Sequence, residues 1–536
     1  MYMATMAMVM AKKINKKWLN KLSALLPLTL ASSVALAGEW SFEPNLGLTE
    51  TYSNNVALTA DNHQSSVVSQ LIAGLNTKFK SSQVEFSFSG TETYATYSHN
   101  SDLNNDYQTA NVDGLFSLWR DGAKLIVSSR LTNASQNSAN NSLADLVSSD
   151  TVQQRFHTAG LQYNTANSSH KFSGSVIYSL TETEDSIGES KGYTARINSV
   201  NGNAARHVFW SLSGLYSDRK NSNSTGTNYN IEAEVGAITS LNLNPFLRFY
   251  DEDITGTGFN NSQAKTRSWG PGIRWQAADH FYLDVSYNYV EDKNAGDDYI
   301  AANINWQPSQ RTSLVAGYSK RFFGDSYNID VSHRTKRLTN NIFYQESIEI
   351  YDRDNFQDVA LGDFWCPIGE PLDINACFPS ALPPNDIAGF TLVPVTGLAP
   401  IENNEFSLNK RLAWNSTLAL SRTIFAFDIS TRERESLTTG IINNNLDVSL
   451  SASRTLSPRS SLKLLASYRE AIFDKNYNSI NPRQEDTYKT VSATYHRSLA
   501  SSLSTKFTLQ YLERKSSQVT LTYEEVRAYI NITKDF

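Results

Sequence analysis

Cysteine is almost absent: the 536 residues hold two, Cys366 and Cys377. With no histidine near them they cannot assemble the four ligands of a structural zinc site, so no metal is expected. Long apolar runs are also scarce. The single candidate lies at the start and is too short to span a bilayer comfortably, which excludes a helical membrane protein. A basic excess is missing, since 47 Lys and Arg face 53 Asp and Glu for a net charge of −6. Such a chain has no electrostatic footprint for phosphate, and nucleic acid is not a partner. Charged residues make up only 19% and aromatic residues 11%, the reverse of a disordered chain. HExxH, GxSxG and phosphate-binding glycine loops are all lacking. The eight histidines (His63, His99, His157, His170, His207, His280, His333 and His496) form no ligand pair, and no cofactor is expected.

What is present begins with an address. Lys12, Lys13, Lys16, Lys17 and Lys21 precede an apolar stretch from Leu22 to Leu36, and Ala35-Leu36-Ala37 stands before Gly38. This is the pattern of a signal peptide over residues 1–37, cleaved near Ala37. In an exported chain, cysteines eleven positions apart read as one local disulfide, Cys366 to Cys377.

The rest of the chain repeats one pattern, period-two alternation over segments of about 10 to 14 residues, the signature of tilted membrane strands. Phe281, Leu283, Val285, Tyr287 and Tyr289 oppose Tyr282, Asp284, Ser286 and Asn288. Leu503, Thr505, Phe507, Leu509 and Tyr511 oppose Ser504, Lys506, Thr508 and Gln510. Strands of a soluble sandwich run about half as long. Eleven short turn signals, from Ser81-Ser82 to Ala500-Ser501, alternate with longer polar loops such as Asn54–Ser66 and Ser138–Asp150. Short turns on one rim and long loops on the other distinguish the two ends of bacterial outer-membrane barrels. The expected fold is therefore all-β: a closed antiparallel up-and-down transmembrane barrel over 38–536, of about 24 strands with 22 to 26 allowed. Closure is required because lipid cannot satisfy an open strand edge.

Three features stand out on that frame. The last strand is amphipathic and ends in Phe536, which resembles the signal read by the barrel assembly machinery; Lys534 departs from the usual aromatic or apolar residue at its place. Residues 353–404 form a Pro-rich loop insert holding both cysteines and seven of the 14 prolines. Because proline removes ladder donors, this stretch cannot be membrane strand. Its apolar residues and its acids Asp363, Glu370, Asp373 and Asp386 suit it to fold back and restrict the bore. Finally, inward parity over the last seven strands collects Arg411, Arg432, Arg434, Lys463, Arg469, Lys506 and Arg527, interrupted by Asp428 and Asp447. A wall of fixed cations would favour anionic solutes, and the competing reading is a solvated lumen of mixed charge.

Residues Leu48-Thr49-Glu50-Thr51-Tyr52-Ser53-Asn54-Asn55-Val56-Ala57-Leu58, and Ile401-Glu402-Asn403-Asn404-Glu405-Phe406 followed by Lys410-Arg411-Leu412, resemble the exosortase/PEP-CTERM system-associated outer-membrane barrels of exopolysaccharide loci. The resemblance implies a Gram-negative outer-membrane channel or scaffold for exopolysaccharide export, in contact with outer-membrane lipid, polysaccharide and periplasmic export components, and not an enzyme. Two alternatives stay open: a non-conducting surface-assembly or adhesion barrel, and an outer-membrane lipid hydrolase with a Ser or Asp beside an inward His on the adjacent strand. A siderophore-type receptor is not expected, since alternation starts directly after Gly38 and leaves no room for a plug domain ahead of the barrel.

Overall fold

The computed structural model describes residues 38–536 except 61–62, 120–121, 137–146, 148–150, 222–224, 257–263, 293–295, 351–355, 369–377, 381–388, 401–405, 475–482 and 519–520. The signal peptide, Cys377, three of the four acids of the insert and most of the second family-like motif lie outside the described residues.

Twenty-four strands form one closed antiparallel sheet, each paired with its chain neighbours. Strands are numbered here in chain order, from β1 (Gly38–Ser53) to β27 (Tyr523–Asp535), with β18 to β20 belonging to the insert. β1 and β27 pair from Asn45↔Asp535 to Ser53↔Arg527 and close the barrel. β17 (Leu338–Ile350) pairs with β21 (Phe406–Ala419), so the ladder runs past the insert without a gap. Each of the eleven expected short turns falls between two paired strands, and the rim that carries them also carries both ends of the barrel sheet. By the short-turn rule this rim is periplasmic.

Alternation sorts the side chains as the sequence dictates. Val285, Tyr287 and Tyr289 are exposed on the outer face, while Asp284, Ser286 and Asn288 are buried toward the lumen. Leu450, Leu464, Val491, Leu509, Val526 and Ile530 continue the apolar outer band. Aromatic pairs mark its two edges, among them Trp40 on Phe42 at 5.5 Å and Trp414 on Phe427 at 5.2 Å toward the periplasm, and Trp269 on Tyr289 at 5.5 Å toward the exterior. Amphipathic rings favour such headgroup levels. At the closing seam the Phe536 amide donates to the Pro44 carbonyl at 2.9 Å, and the Lys534 ammonium lies 4.7 Å from the Phe536 ring centre. The unusual lysine is thus folded over the terminal aromatic as a cation–π pair.

The stretch expected as a loop contains a separate three-stranded antiparallel sheet: β18 (Phe356–Pro367), β19 (Phe378–Pro379) and β20 (Phe390–Pro400). None of these strands enters the barrel sheet. Pro367, Pro379 and Pro400 sit at strand ends, and Pro394 lies inside β20, an edge strand of this sheet, positions where a missing donor costs least. Cys366 is buried and disulfide-bonded.

A segment of the barrel wall itself leans into the lumen. β15 (Thr312–Arg321) and β16 (Gly324–Arg334) form a tight hairpin whose tip leans inward onto β11 (Leu243–Gly256). Arg321 bonds Glu252, and the Arg248 Nη2 donates to Ser319 Oγ at 3.2 Å. Phe322 packs on the buried cluster of Ile254, Ala264 and Phe406, joined by Ile348 and Leu437. That cluster ties β11 to β21, from the far side of the hairpin. A Cβ added to Gly256 would lie 2.6 Å from the Phe406 ring, so only glycine allows this approach.

Candidate functional site in the barrel lumen

All seven residues of the expected basic stripe face inward, but the structure sorts them into three groups. Lys463 and Lys506 lie near the periplasmic ends of β24 (Ser460–Asp474) and β26 (Leu503–Ser516). Arg527 is buried in a second cluster, its Nε 2.6 Å from Glu525, which also accepts from Ser53 Oγ at 2.5 Å. Arg411, Arg432, Arg434 and Arg469 converge on one cavity of about 610 Å³, lined also by Phe343, Gln345, Glu349, Asn409 and Asp447.

The convergence follows from register. Gln345 of β17 stands opposite Arg411 of β21, and Arg411 stands opposite Arg432 of β22 (Thr423–Ser436). Asn409 is opposite Arg434, and Asp447 of β23 (Ile442–Ser457) is opposite Arg469. Within the cavity, Arg432 donates to Glu349 at 3.0 Å and to Asn409 at 3.1 Å. Arg469 donates to Asp447 at 2.5 Å, and Arg434, nearly buried, donates to Ser407 Oγ at 3.1 Å. Arg411 is the exposed one. Its guanidinium lies 5.3 Å from the Phe343 ring centre, and no carboxylate pairs with it among the described residues. Among the described residues the lining sets four guanidiniums beside two carboxylates in a concave cavity, and fixed cations in such a cavity concentrate anions.

The opposite wall has no cationic excess among the described residues, with three arginines against four carboxylates. Arg248 pairs with Glu232 at 2.6 Å, Arg274 with Asp284 at 2.7 Å and Glu234 at 3.2 Å, and Arg321 with Glu252. A further buried pair, Arg514 with Asp486 at 2.8 Å, lies on β26 and β25 (Arg483–Ser498). Most of these pairs join adjacent strands, so cross-strand register, which parity alone does not give, decides which charges are neutralised.

Serine or threonine meets histidine at three places among the described residues: Ser66 Oγ with His99 Nδ1 at 2.7 Å beside the long-loop rim, Ser129 Oγ with His157 Nδ1 at 2.9 Å, and Thr312 Oγ1 with His333 Nδ1 at 2.8 Å. Ser129 and His157 share the outer face with Leu161 and Tyr163, and the His99 ring packs edge-on against Tyr97. No carboxylate orients any of the three rings among the described residues, so none is a catalytic triad. No group of three metal-ligating side chains occurs among the described residues.

A closed 24-stranded barrel with an apolar outer band and a polar lumen is a Gram-negative outer-membrane protein. No protein-family model matches the chain, and no curated protein matches it. Solved structures do match over 92% of the chain. They include the siderophore receptor PirA of Acinetobacter baumannii (9% identity, 80% of that chain, TM-score 0.42). A ferric enterobactin receptor PfeA mutant of Pseudomonas aeruginosa in complex with enterobactin matches at 10% identity, 81% of that chain and TM-score 0.42. The iron transporter FrpB of Neisseria meningitidis matches at 10% identity, 81% of that chain and TM-score 0.41.

The expected family is corrected: no protein-family model supports the exosortase/PEP-CTERM-associated resemblance, and the solved structures that match carry the names of iron and siderophore receptors. The exopolysaccharide export role, the adhesion alternative and the polysaccharide and export-component partners rested on that resemblance alone and fall with it. The hydrolase alternative falls as well, because no Ser–His pair among the described residues carries a carboxylate that would orient its imidazole. At this level of similarity the receptors' ligands are not transferred to this chain.

Proposed function

We propose that the protein is an outer-membrane channel for small anionic solutes, with the cavity of Arg411, Arg432, Arg434 and Arg469 as its selective step. The observation that carries this reading is the cross-strand pairing of Arg432 with Arg411, which is exposed to the cavity and has no carboxylate partner among the described residues. Like charges directly opposite in a sheet cost stability, and an anion placed between them removes that cost. The wall across the lumen carries no cationic excess among the described residues, so an anion is drawn toward the arginine side as it passes. Purified protein in a planar bilayer under a salt gradient tests the reading: an anion-selective reversal potential, reduced in Arg411→Gln, is expected. Cation selectivity in both proteins would refute it.

A further inference from the structure

The arginine cavity has a neighbour of the opposite sign. A second cavity, of about 710 Å³, adjoins it on the β16 side, and Phe343 and Gln345 line both. The ionised groups lining the second are Glu232, Asp330 and Glu346 against Arg248 and Arg321, so carboxylates are in excess there, as guanidiniums are in the first. All but one of these groups are engaged. Arg248 holds Glu232, Arg321 holds Glu252, and Glu346 accepts from the Tyr344 hydroxyl at 2.7 Å and from the Tyr327 amide at 3.3 Å. Asp330 is the remainder. It is exposed on the lumenal side of β16, and no cation pairs with it among the described residues.

Register sets Asp330 and Arg411 on one wall with an aromatic ring between them. Asp330 of β16 stands opposite Phe343 of β17, and Gln345, two positions on, stands opposite Arg411 of β21. Arg411 leans toward the ring, its guanidinium 5.3 Å from the centre. The neighbours of Asp330 on its own face are neutral: Asn328 and Ser332 along β16, Val315 across on β15 and Asn341 on β17. Two strand spacings of about 4.8 Å and two residues of about 3.3 Å separate the Cα atoms of Asp330 and Arg411 by roughly 12 Å. The two charges therefore stand too far apart to neutralise each other. What they leave is a dipolar face, negative at one end, positive at the other and apolar in the middle.

We propose that this face binds a dipolar solute, a short peptide with both termini free. Its carboxylate meets the planar fork of Arg411, and its ammonium meets Asp330, with the Asn328 and Asn341 amides on the same face as further acceptors. An apolar middle side chain packs on Phe343. An extended chain covers about 3.3–3.6 Å per residue, so three residues match the span, whereas the adjacent charges of a free amino acid cannot reach both ends. The carboxylate half of this inference rests on the reading of the arginine cavity as an anion site; the Asp330 half does not.

Isothermal titration calorimetry of the full-length protein in detergent micelles tests it, with the tripeptide Ala-Phe-Ala and its N-acetyl and C-amide forms as probes. The free tripeptide is expected to bind roughly tenfold more tightly than either capped form, the worth of one charge-assisted contact. Asp330→Asn should erase the advantage of the free over the N-acetyl peptide without weakening the N-acetyl form. Arg411→Gln should weaken every peptide that keeps its carboxylate, and heat-modifiable migration reports that both variants are folded. Equal binding of the free and N-acetyl peptides, or an advantage that persists in Asp330→Asn, overturns the inference. Binding indifferent to Arg411→Gln overturns it as well. An anion-selective bilayer current with no peptide binding overturns the inference and spares the proposed function. A cation-selective barrel that still binds the free tripeptide through Asp330 and Arg411 refutes the channel reading and leaves this site standing.

Discussion

Arg411 and Arg432 stand directly opposite each other on neighbouring strands with both guanidiniums toward the lumen. Arg432 is held by Glu349 and Asn409, while Arg411 rests against Phe343. A sheet assembled for stability alone would place opposite charges or polar neutral residues in such a pair.

Removing Arg411 should therefore not weaken the barrel. Arg411→Gln is expected to leave unfolding in lipid vesicles unchanged, or to stabilise it by roughly 0.2–1 kcal/mol. Arg434→Ala, which strips a nearly buried donor from Ser407, is expected to cost about 1–3 kcal/mol. Urea midpoints of the two variants check the contrast. A larger loss at position 411 than at 434 would mean that Arg411 is structural.

Two segments compete for control of the bore. The hairpin tip is fastened by Arg321 and Glu252, both largely buried. Glu252→Gln leaves the arginine without its counter-ion, a change that costs about 3–5 kcal/mol in buried pairs. It should release the tip and raise single-channel conductance. The insert is the second candidate, and deletion of 363–400 is expected to raise conductance while the barrel still assembles. A rise with Glu252→Gln and none with the deletion would place the constriction in the wall and the insert outside the conduction path.

The two cysteines are proposed to bond to each other. Closing a loop of this length stabilises the insert by about 2–3 kcal/mol in chain-entropy terms. Thiol labelling of unreduced, denatured protein should modify neither cysteine, and two labelled positions would refute the bond.

Phe536 is proposed as the assembly signal. Its amide closes on Pro44 and its ring lies under Lys534. Deleting Phe536 should slow the appearance of heat-modifiable barrel in the outer membrane and increase periplasmic degradation. Normal accumulation of the truncated protein would show that the seam forms without it.

The sequence displayed what is local. Turn residues and period-two alternation place the strands because one face must meet lipid and the other water, and parity alone sent Arg411, Arg432 and Arg469 inward. What it hid is long-range. Glu252 and Arg321 are 69 positions apart, and nothing in either strand's alternation says that the β15–β16 tip leaves the wall to join them. Gly256 looks like an ordinary strand-end glycine until Phe406 is packed against it. The insert misled differently: its prolines spoke correctly against membrane strand, yet at strand ends and, for Pro394, on the edge strand β20 they permit a small sheet of its own. Within the first family-like motif, Ser53 and Asn55 are fixed by the closing seam, Ser53 Oγ donating to Glu525 and Asn55 Nδ2 to the Glu524 carbonyl, partners 472 and 469 positions away that no local motif announces.

The measurement that bears most directly on the account is the reversal potential of purified protein in a planar bilayer under a salt gradient, for wild type, Arg411→Gln and the double variant Arg411→Gln/Arg432→Gln. Anion selectivity that falls in the single variant and is lost in the double is the predicted result. A cation-selective wild type, or selectivity indifferent to both substitutions, would contradict the assignment of the arginine cavity as the selective step.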